Sequence, residues 1–371
     1  MSNKIIIAGG GTGGHIFPAI AIANALKAQS NNVELLFVGA RGKMEMEKVP
    51  MHGFHIKGID IAGFQRGSFF KNISLPYKLL KSFFQVRSII NKFKPDAVIG
   101  VGGYSSYPVL RLAQQKNIPS FIHESNSFAG KSNILLGKRA VKIFVASEGM
   151  EKFFPAEKII LTGNPVRKTI SASAMTRSEA IPYFKLNPNK KIILVVGGSL
   201  GAQSINEVIA KHVIELDSLG LQLIWQTGNT NASFYASRAH LSNGTWVGSF
   251  IEEMDKAYAC ADVVVSRAGA MSVAELCVCK KPVIFVPYPY AAENHQYENA
   301  KYLVHKNAAL LVKNEDAKSQ LFKEITMLAK DETLQATLSE NIGKLAVYNA
   351  DERIAEEILQ YLAQKENKVN T

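Results

Sequence analysis

Short runs of β-branched apolar residues alternate with longer segments of helical periodicity along the whole chain. A glycine-rich turn follows several of these runs, and the runs lack polar alternation, as in Ile192-Ile-Leu-Val-Val196. Strands of a parallel sheet are covered on both faces and therefore read as continuous apolar runs. The pattern predicts an α/β protein with parallel sheets. The predicted strands are residues 4–8, 33–38, 96–101, 120–123, 141–146 and 158–162, followed by 191–196, 221–226, 245–247, 262–266 and 282–286.

The two halves of the chain open alike. Lys4-Ile-Ile-Ile-Ala-Gly-Gly-Gly begins one half, and Lys191-Ile-Ile-Leu-Val-Val-Gly-Gly begins the other. A length of 371 residues fits about two domains. Pro165 and the Ser/Ala-rich stretch 171–178 predict a linker. We therefore expect one doubly wound domain over 1–165 and a second over 166–347, with an amphipathic helix near 352–363 that returns residues 348–371 to the first domain.

Composition points to an anionic partner. Lys and Arg number 43 against 31 Asp and Glu, and the resulting formal charge of +12 favours phosphorylated substrates, acidic lipid or nucleic acid. Cys260, Cys277 and Cys279 fit neither a disulfide framework nor a zinc site, which indicates a reducing compartment. No apolar run has the length of a signal-peptide core or of a transmembrane helix. These features predict a cytoplasmic protein whose membrane contact is at most peripheral.

Three glycine-rich turns follow predicted strands, namely Gly9-Gly-Gly-Thr-Gly-Gly14, Gly102-Gly-Tyr-Ser-Ser106 and Gly197-Gly-Ser-Leu-Gly201. Such a turn aims backbone N–H groups and the positive end of a helix at a phosphate. The first turn also satisfies the dinucleotide pattern G-x-G-x-x-G, but Arg41 stands where an acidic ribose ligand is expected, so an NADP site and a purely structural turn remain alternatives. Because all three turns lie at the carboxyl ends of strands, they predict two phosphorylated ligands in a cleft between the domains.

The stretch 61–95 combines positive charge with large apolar residues. It holds seven Lys and Arg and no Asp or Glu, interleaved with phenylalanine and leucine. This is more apolar surface than one helix buries against a sheet, so we predict a face that lies on an anionic lipid leaflet. A core helix with a solvated basic side is the alternative, and nucleic acid is disfavoured because no binding motif accompanies the charge. The residues assigned to the membrane face are Phe69, Phe70, Lys78, Leu79, Lys81, Phe83 and Arg87.

Seven motifs, in a fixed order, carry a resemblance to a known family. They are Gly9-Gly-Gly-Thr-Gly-Gly-His-Ile-Phe-Pro18, Gly102-Gly-Tyr-Ser-Ser-Tyr-Pro108, His123-Glu-Ser-Asn126, Gly163-Asn-Pro-Val-Arg167, Gly197-Gly-Ser-Leu-Gly-Ala-Gln203, Ser266-Arg-Ala-Gly-Ala-Met-Ser-Val-Ala-Glu275 and Asn294-His-Gln-Tyr-Glu-Asn299. With them the sequence resembles the MurG family, bacterial transferases that move N-acetylglucosamine (GlcNAc) from UDP-GlcNAc onto lipid I to form lipid II for peptidoglycan. Leu200 departs from the family, which often has Gln there. The resemblance implies a GT-B fold: two Rossmann-like doubly wound parallel-sheet domains facing across a cleft, with the lipid acceptor on the first domain and UDP-GlcNAc mainly on the second.

The resemblance also implies a set of donor contacts. Glu275, one turn inside the helix that starts at Ala270, Met271 and Ser272, is implied to bind both ribose hydroxyls, and a carboxylate placed there only by the helix dipole is the alternative. The backbone of Ile251 is implied to read the uracil edge, with Met254 near the base. The remaining implied UDP-GlcNAc contacts are Thr12, Gly13, Gly14, Asn126, Arg167, Ser199, Asn294 and Gln296, with Arg167 and Ser199 assigned to the leaving diphosphate. A surface arginine at the linker is the alternative for Arg167, and a turn-forming residue is the alternative for Asn126.

His15 is the candidate general base. It lies at the start of the first predicted helix, whose positive end disfavours imidazolium and leaves a neutral imidazole available. We predict that it takes the proton of the acceptor's 4-hydroxyl; binding of the acceptor phosphate, or capping of the turn, is the alternative. Glu124 is the reserve candidate. The acceptor diphosphate is assigned to Gly10, Gly11, Gly103, Tyr104, Ser105 and Ser106.

The expected reaction is inverting transfer without a metal ion, because the sequence contains no Asp-x-Asp and because fixed dipoles with arginine can meet the leaving-group charge. The expected location is the cytoplasmic face of the bacterial inner membrane, as a peripheral protein with other cell-wall synthesis proteins as partners and no nucleic acid. Two alternatives remain. One is another GT-B enzyme that uses UDP-GlcNAc, such as an epimerase or a glycolipid synthase, and the other is a nonenzymatic binder of anionic lipid or nucleic acid.

Overall fold

The chain forms two compact units. The structure, a computed structural model, describes residues 2–63, 75–198 and 200–369. The first unit comprises Met1–Arg167 and Asn349–Thr371, and the second is the continuous segment Lys168–Tyr348. The division after Arg167 lies close to the linker expected at 165, and the chain returns to the first unit near its end.

Seven parallel strands form the sheet of the first unit, in the order β3-β2-β1-β4-β5-β6-β7. They are β1 (Asn3–Ala8), β2 (Val33–Ala40), β3 (Ile56–Ile59), β4 (Ala97–Gly100), β5 (Ser120–Glu124), β6 (Lys142–Val145) and β7 (Ile159–Leu161). The strand order reverses direction between β1 and β4, which pair directly with Ile5 opposite Ala97. Ligands of doubly wound sheets bind at such a reversal, at the carboxyl ends of the strands.

Helices cover both faces of this sheet. They are α1 (Gly13–Gln29), α2 (Glu45–Met51), α3 (Leu75–Phe93), α4 (Ser106–Gln115) and α5 (Lys131–Gly137), with 3-10 turns at Met150–Lys152 and Ala156–Lys158. The apolar residues of β1 alternate between two cores. Ile5 and Ile7 face the core that contains α1, and Ile6 faces the core that contains Val86 of α3. Burial on both faces explains why these strands read as continuous apolar runs.

The second unit repeats the architecture with six parallel strands in the order β10-β9-β8-β11-β12-β13. The strands are β8 (Lys191–Val196), β9 (Leu221–Gln226), β10 (Thr245–Gly248), β11 (Val263–Ser266), β12 (Val283–Phe285) and β13 (Leu310–Leu311). The helices are α6 (Lys168–Ser171), α7 (Arg177–Phe184), α8 (Gln203–Ser218), α9 (Ala232–Ala239), α10 (Met254–Cys260), α11 (Ala270–Val278), α12 (His295–His305), α13 (Ala317–Lys330) and α14 (Glu332–Gly343), with a 3-10 turn at Ala292–Asn294.

The last helix, α15 (Ala350–Val369), belongs to the first unit. Its residues Ile354, Ala355, Ile358 and Leu362 are buried in the same core as α1. The helix is longer than the expected segment 352–363, because polar residues on its outer face extend it beyond the apolar stripe that the pattern detects.

Two strands of the described chain were not predicted. The edge strand β3 reads Ile-Lys-Gly-Ile and β13 has two residues, so neither shows an apolar run. The stretch 171–178, expected as a linker, forms no helix or strand over 172–176; α6 ends at Ser171, and α7 begins at Arg177 after a capping box from Thr176 to Glu179. Within the described ranges, no helix is long and apolar enough to cross a membrane.

Candidate active site

The first glycine loop connects β1 to α1 and contacts the second loop. Gly10 and Gly11 have positive φ angles of 147° and 89°, which side-chain-bearing residues rarely adopt. The Gly10 N–H donates to the Gly102 carbonyl at 3.3 Å, and a Cβ on Gly103 would lie 2.2 Å from the Gly10 oxygen. The structure thus brings together the two loops that the sequence assigned to phosphate.

Glu45 of α2 is a residue of this loop that sequence reasoning missed. Its side chain is 1% exposed, and its two oxygens accept the N–H groups of Gly11, at 2.9 Å, and Ala40, at 2.8 Å. The N–H groups of Gly10 and Gly11 are therefore used inside the protein. The donors that remain for an anion at this loop are those that begin α1 at Gly13, where no side chain caps the helix.

His15 lies in the first turn of α1, half-buried between the two loops. Its Nδ1 is 3.2 Å from the Gly10 carbonyl oxygen and 3.4 Å from the Thr12 hydroxyl. A carbonyl oxygen only accepts hydrogen bonds, so the contact with Gly10 favours the tautomer with the proton on Nδ1. A Cβ on Gly102 would lie 2.7 Å from Nε2, so a glycine at this position makes room for the ring.

The second glycine loop joins β4 to α4. Ser105 and Ser106 are each 1% exposed; the Ser106 hydroxyl donates to the Gly103 carbonyl at 2.8 Å, and the Ser105 hydroxyl has no hydrogen-bond partner within the described residues. The Ser106 N–H also donates to the Gly103 carbonyl, at 3.3 Å, so both donors of Ser106 are used inside the loop. Tyr104 is 57% exposed and is the side chain of this loop that can reach a ligand.

Glu124, the reserve base, ends β5 and organises the loop that follows. One carboxylate oxygen accepts from the backbone and side-chain nitrogens of Asn126, at 3.1 and 3.3 Å. The other accepts from Gly130, at 3.1 Å, and from the Asn133 amide, at 2.8 Å. A carboxylate with four donors has few lone pairs left for a substrate proton. This geometry favours His15 as the base and makes Glu124 the residue that positions Asn126.

His123 precedes Glu124 on β5 and is completely buried. Burial lowers its pKa from 6.5 to about 4; a backbone contact with Gly163 opposes this shift, and the nearby His15 adds to it. The residue belongs to one of the sequence motifs, yet no role was predicted for it. Its low pKa keeps it neutral beside His15 at physiological pH.

Arg167 ends the first unit close to the start of α1. Its guanidinium lies over the ring of Phe17, 5.0 Å from the ring centroid. Phe17 in turn covers Gly13, where a Cβ would come within 3.2 Å of the ring. The contact places a positive charge one helical turn from the N–H groups that begin α1.

In the second unit, the third glycine loop joins β8 to α8. Ser199 lies outside the described residues. The Gly201 N–H donates to the Gly198 carbonyl at 2.9 Å, and a Cβ on Gly201 would lie 2.1 Å from the Thr227 oxygen. The turn after β9 therefore packs directly against this loop, and α8 begins without a side-chain cap.

The predicted uracil residues follow β10. Ile251 and Met254 are 2% and 8% exposed. The Ile251 N–H donates to the Gln226 side-chain oxygen at 3.3 Å. A nucleobase can therefore donate to the Ile251 carbonyl, but it can accept from the Ile251 N–H only if it displaces Gln226. Sequence reasoning did not select Gln226.

Glu275 lies in α11, which begins without a side-chain cap at Ala270, and is 8% exposed. One carboxylate oxygen accepts the hydroxyl of Tyr258 from α10, at 3.1 Å. Tyr258 is itself 4% exposed and was not predicted. Met271 and Ser272 lie in the first turn of the same helix, as expected.

A half-buried arginine links the loops of the second unit. Arg267 donates to the Val286 carbonyl and the Asn314 side chain, each at 2.8 Å, and to the Ser204 hydroxyl at 3.3 Å. Burial lowers its pKa to about 10, so it stays charged at neutral pH. Its guanidinium lies over the ring of Tyr288, 5.7 Å from the ring centroid, and Tyr288 is close to the residues predicted to contact the sugar.

The residues predicted to contact the sugar, Asn294 and Gln296, lie at the start of α12. Gln296 accepts the Tyr288 N–H with its side-chain oxygen at 3.0 Å, which directs its amide NH2 away from that contact. Asn294 is exposed, with a left-handed φ of 54°. The Asn299 amide donates to the Ala268 carbonyl at 3.1 Å and so ties α12 to the loop before α11.

The outer face of α3 carries an exposed apolar stripe. Tyr77, Leu80 and Phe84 are 68%, 59% and 66% exposed and follow one another at helical spacing, whereas Ser82, Val86 and Ile90 are buried on the opposite face. Phe69 and Phe70 lie outside the described residues.

The other residues assigned to the membrane face divide between exposed and partnered positions. Leu79 and Arg87 are exposed, and Lys78 is half-buried. Phe83 turns towards Tyr107, with ring centroids 6.3 Å apart, and Lys81 pairs with Asp60 at 2.9 Å. Among the described residues, no group of three or more His, Cys, Asp or Glu side chains is placed to hold a metal ion.

Two doubly wound units with parallel sheets and glycine-rich, uncapped helix starts are typical of the GT-B fold, and the comparisons with known proteins give the class as glycosyltransferase. Residues 5–145 match the N-terminal domain of glycosyltransferase family 28, and residues 192–354 match its C-terminal domain. The chain is 49% identical over 370 residues to the UDP-N-acetylglucosamine--N-acetylmuramyl-(pentapeptide) pyrophosphoryl-undecaprenol N-acetylglucosamine transferase of Phocaeicola vulgatus, covering 99% of this chain and 98% of the relative. It belongs to the MurG family.

Solved structures agree with this assignment. Acinetobacter baumannii MurG is 28% identical and superposes with a TM-score of 0.76, covering 96% of this chain and 99% of its own. Staphylococcus aureus MnaA, solved with UDP, is 17% identical with a TM-score of 0.70 and covers 97% of both chains, a likeness of fold alone.

Proposed function

We infer that this chain transfers GlcNAc from UDP-GlcNAc to the 4-hydroxyl of the N-acetylmuramyl group of lipid I and so forms lipid II. The observation that carries this conclusion is the 49% identity to a transferase of that name over nearly the full length of both chains. The chemistry of the loops supports it, because both substrates carry a diphosphate and the glycine loops lead into helix starts that no side chain caps.

The acceptor is proposed to bind the first unit, with His15 as the base. In its neutral form with the proton on Nδ1, the ring has a lone pair on Nε2 that can accept the hydroxyl proton. The acceptor oxygen then forms a bond to the anomeric carbon from the face opposite UDP. The bond to the UDP oxygen breaks, UDP keeps the electron pair, and the configuration at the anomeric carbon inverts.

The donor is proposed to bind the second unit through Glu275 and the loops after β8 and β10. Tyr258 holds the Glu275 side chain in place for the two ribose hydroxyls. The N–H groups that begin α8 and the charge of Arg167 are proposed to stabilise the departing diphosphate, in place of a metal ion. Gln296 is proposed to donate its amide to a hydroxyl of the sugar.

We also propose that the stripe of Tyr77, Leu80 and Phe84 lies on an anionic leaflet at the cytoplasmic face of the inner membrane. The exposed side chains supply apolar area, and Arg87 lies one turn from Phe84 on the same side. Such a position would bring the enzyme to a lipid-linked acceptor. Because of this position at the membrane, other cell-wall synthesis proteins are also proposed as partners.

Transfer of radiolabelled GlcNAc from UDP-GlcNAc to a lipid I analogue tests the proposal. Acceptor-dependent product that persists with a chelator is expected. Product that appears without acceptor, or epimerised UDP-sugar, would favour another GT-B activity. Product lost on chelation would overturn the metal-free part alone.

A further inference from the structure

One peptide group joins a buried carboxylate to the imidazole proposed as the base. The Gly11 N–H donates to Glu45 Oε2 at 2.9 Å, and the Gly10 carbonyl oxygen lies 3.2 Å from His15 Nδ1. These two backbone atoms belong to the same peptide bond. Glu45 and His15 therefore bond to its opposite ends.

The protein makes specific room for this carboxylate. A Cβ on Gly10 would lie 2.3 Å from the Glu45 carboxyl carbon, and a Cβ on Gly39 would lie 2.5 Å from its Cγ. The second oxygen, Oε1, is held by the Ala40 N–H at the end of β2. Glu45 is thus fixed to the central sheet at one oxygen and to the glycine loop at the other.

This placement has a cost. Glu45 is 1% exposed and forms no ion pair within the described residues. Burial of an unpaired carboxylate is unfavourable, and its charge repels a diphosphate at the neighbouring helix start. An amide side chain would avoid both penalties, but its single oxygen could accept only one of the two N–H groups. A carboxylate is therefore the side chain that can hold the glycine loop and the end of β2 together.

Hydrogen bonds in a chain polarise one another. A carboxylate bonded to the Gly11 N–H makes the Gly10 oxygen a stronger acceptor, which in turn stabilises a proton on His15 Nδ1. In a Ser-His-Asp triad the carboxylate bonds the imidazole directly and fixes the same tautomer. Here the peptide would stand between the two groups.

We propose that Glu45 is a positioning residue for GlcNAc transfer. It acts through the Gly10–Gly11 peptide to keep the neutral His15 ring protonated on Nδ1, so that Nε2 can accept the proton of the acceptor hydroxyl. The inference rests on the proposed role of His15. It gives α2 a role in the reaction, although α2 is far from His15 along the sequence.

The first test compares Glu45→Gln with Glu47→Gln. Glu47 lies on the same helix with an exposed side chain, so its variant is a matched control for loss of one charge. An amide must present its NH2 to one of the two N–H donors, which breaks the chain on one side. In Glu45→Gln we expect kcat at saturating substrates to fall about tenfold or more, the size of effect seen when a partner that orients a metal-binding histidine is removed. The KM for UDP-GlcNAc should not change, and Glu47→Gln should have wild-type kinetics.

The second test reads the tautomer directly. In wild-type protein labelled with 15N-histidine, the His15 ring should show a protonated Nδ1 and an unprotonated Nε2, and Glu45→Gln should shift the signals towards a mixture. A wild-type ring protonated on Nε2 would overturn the inference whether or not the variant folds. So would a Glu45→Gln enzyme with wild-type kcat and tautomer signals. The tautomer is measured without substrate, so loss of the proposed transferase function would show separately, as absent product in the wild type.

Discussion

Acidification should destabilise the first unit through His123. This residue is completely buried on β5, and burial lowers its pKa from 6.5 to about 4. In the unfolded chain the imidazole returns to its ordinary pKa of about 6.5. Between these two pKa values the unfolded state therefore binds a proton that the folded state does not.

The sign and size follow from linkage. Stability rises with pH wherever the unfolded state binds more protons, so the free energy of unfolding falls as the pH is lowered from 6.5 to 4. Each pH unit of that window costs about 1.4 kcal/mol per proton. Between pH 7.5 and pH 5 the first unit should lose about 2 kcal/mol from this residue, and the loss levels off near about 3 kcal/mol below pH 4.

Hydrogen exchange of peptides that contain β5 measures this free energy within the first unit. The same experiment on β8 provides a comparison, since β5 and the groups that shift the pKa of His123, namely Gly163 and His15, all belong to the first unit. His123→Gln removes the titrating group and should flatten the pH dependence at β5 even if it lowers stability at pH 7.5. Equal slopes in the wild type and the variant would refute the reasoning, and so would an NMR titration of His123 with a midpoint near 6.5.

Three further outcomes are expected. Glu275→Ala should weaken UDP-GlcNAc binding about 100-fold, because two hydrogen bonds to a charged group are lost, whereas Tyr258→Phe should weaken it by only threefold to tenfold in calorimetry. His15→Ala should lower kcat about 100-fold or more in the transfer assay while donor affinity stays unchanged. Leu80→Ser with Phe84→Ser should reduce binding to vesicles of anionic lipid at least about tenfold in sedimentation, since two exposed apolar side chains no longer enter the leaflet.

Matched variants separate these effects from general damage. Glu340→Ala removes an exposed carboxylate of the second unit and should leave the affinity for UDP-GlcNAc unchanged. If Glu275→Ala also left that affinity unchanged, Glu275 could not be the ribose ligand. Ile214→Ser removes a side chain that is 56% exposed outside α3 and should leave vesicle binding intact. Normal turnover of His15→Ala at saturating acceptor would leave the reaction without its proposed base.

The central strands could be predicted from the sequence and the edge strands could not. β1, β4 and β8 are buried on both faces and so form continuous apolar runs, whereas the edge strand β3 contains Lys57 and Gly58 and lacks that signal. Glycine loops were detected because backbone conformation demands the residue type locally. The sequence could not show which N–H groups of these loops remain available to a ligand, because that depends on hydrogen-bond partners far along the chain.

Glu45 and Tyr258 show the same limit. Glu45 is 34 residues from Gly11, and Tyr258 is 17 residues from Glu275. Each is an ordinary helical residue in the sequence, and only the fold reveals that its side chain holds a site residue. Glu124 shows the reverse case, because a carboxylate in a motif suggested proton transfer, and its four donors became visible only in three dimensions.

The return of α15 to the first unit has a consequence for synthesis on the ribosome. The core around α1 lacks its last layer until residues such as Ile354 and Ile358 emerge, and the whole of Lys168–Tyr348 is made in between. At about 5 to 20 residues per second, the nascent first unit waits roughly 10 to 40 s with an apolar groove exposed, while the second unit can fold without interruption. The second unit is therefore expected to complete its fold before the first. Chaperones are expected to cover the exposed core of the first unit until α15 has emerged.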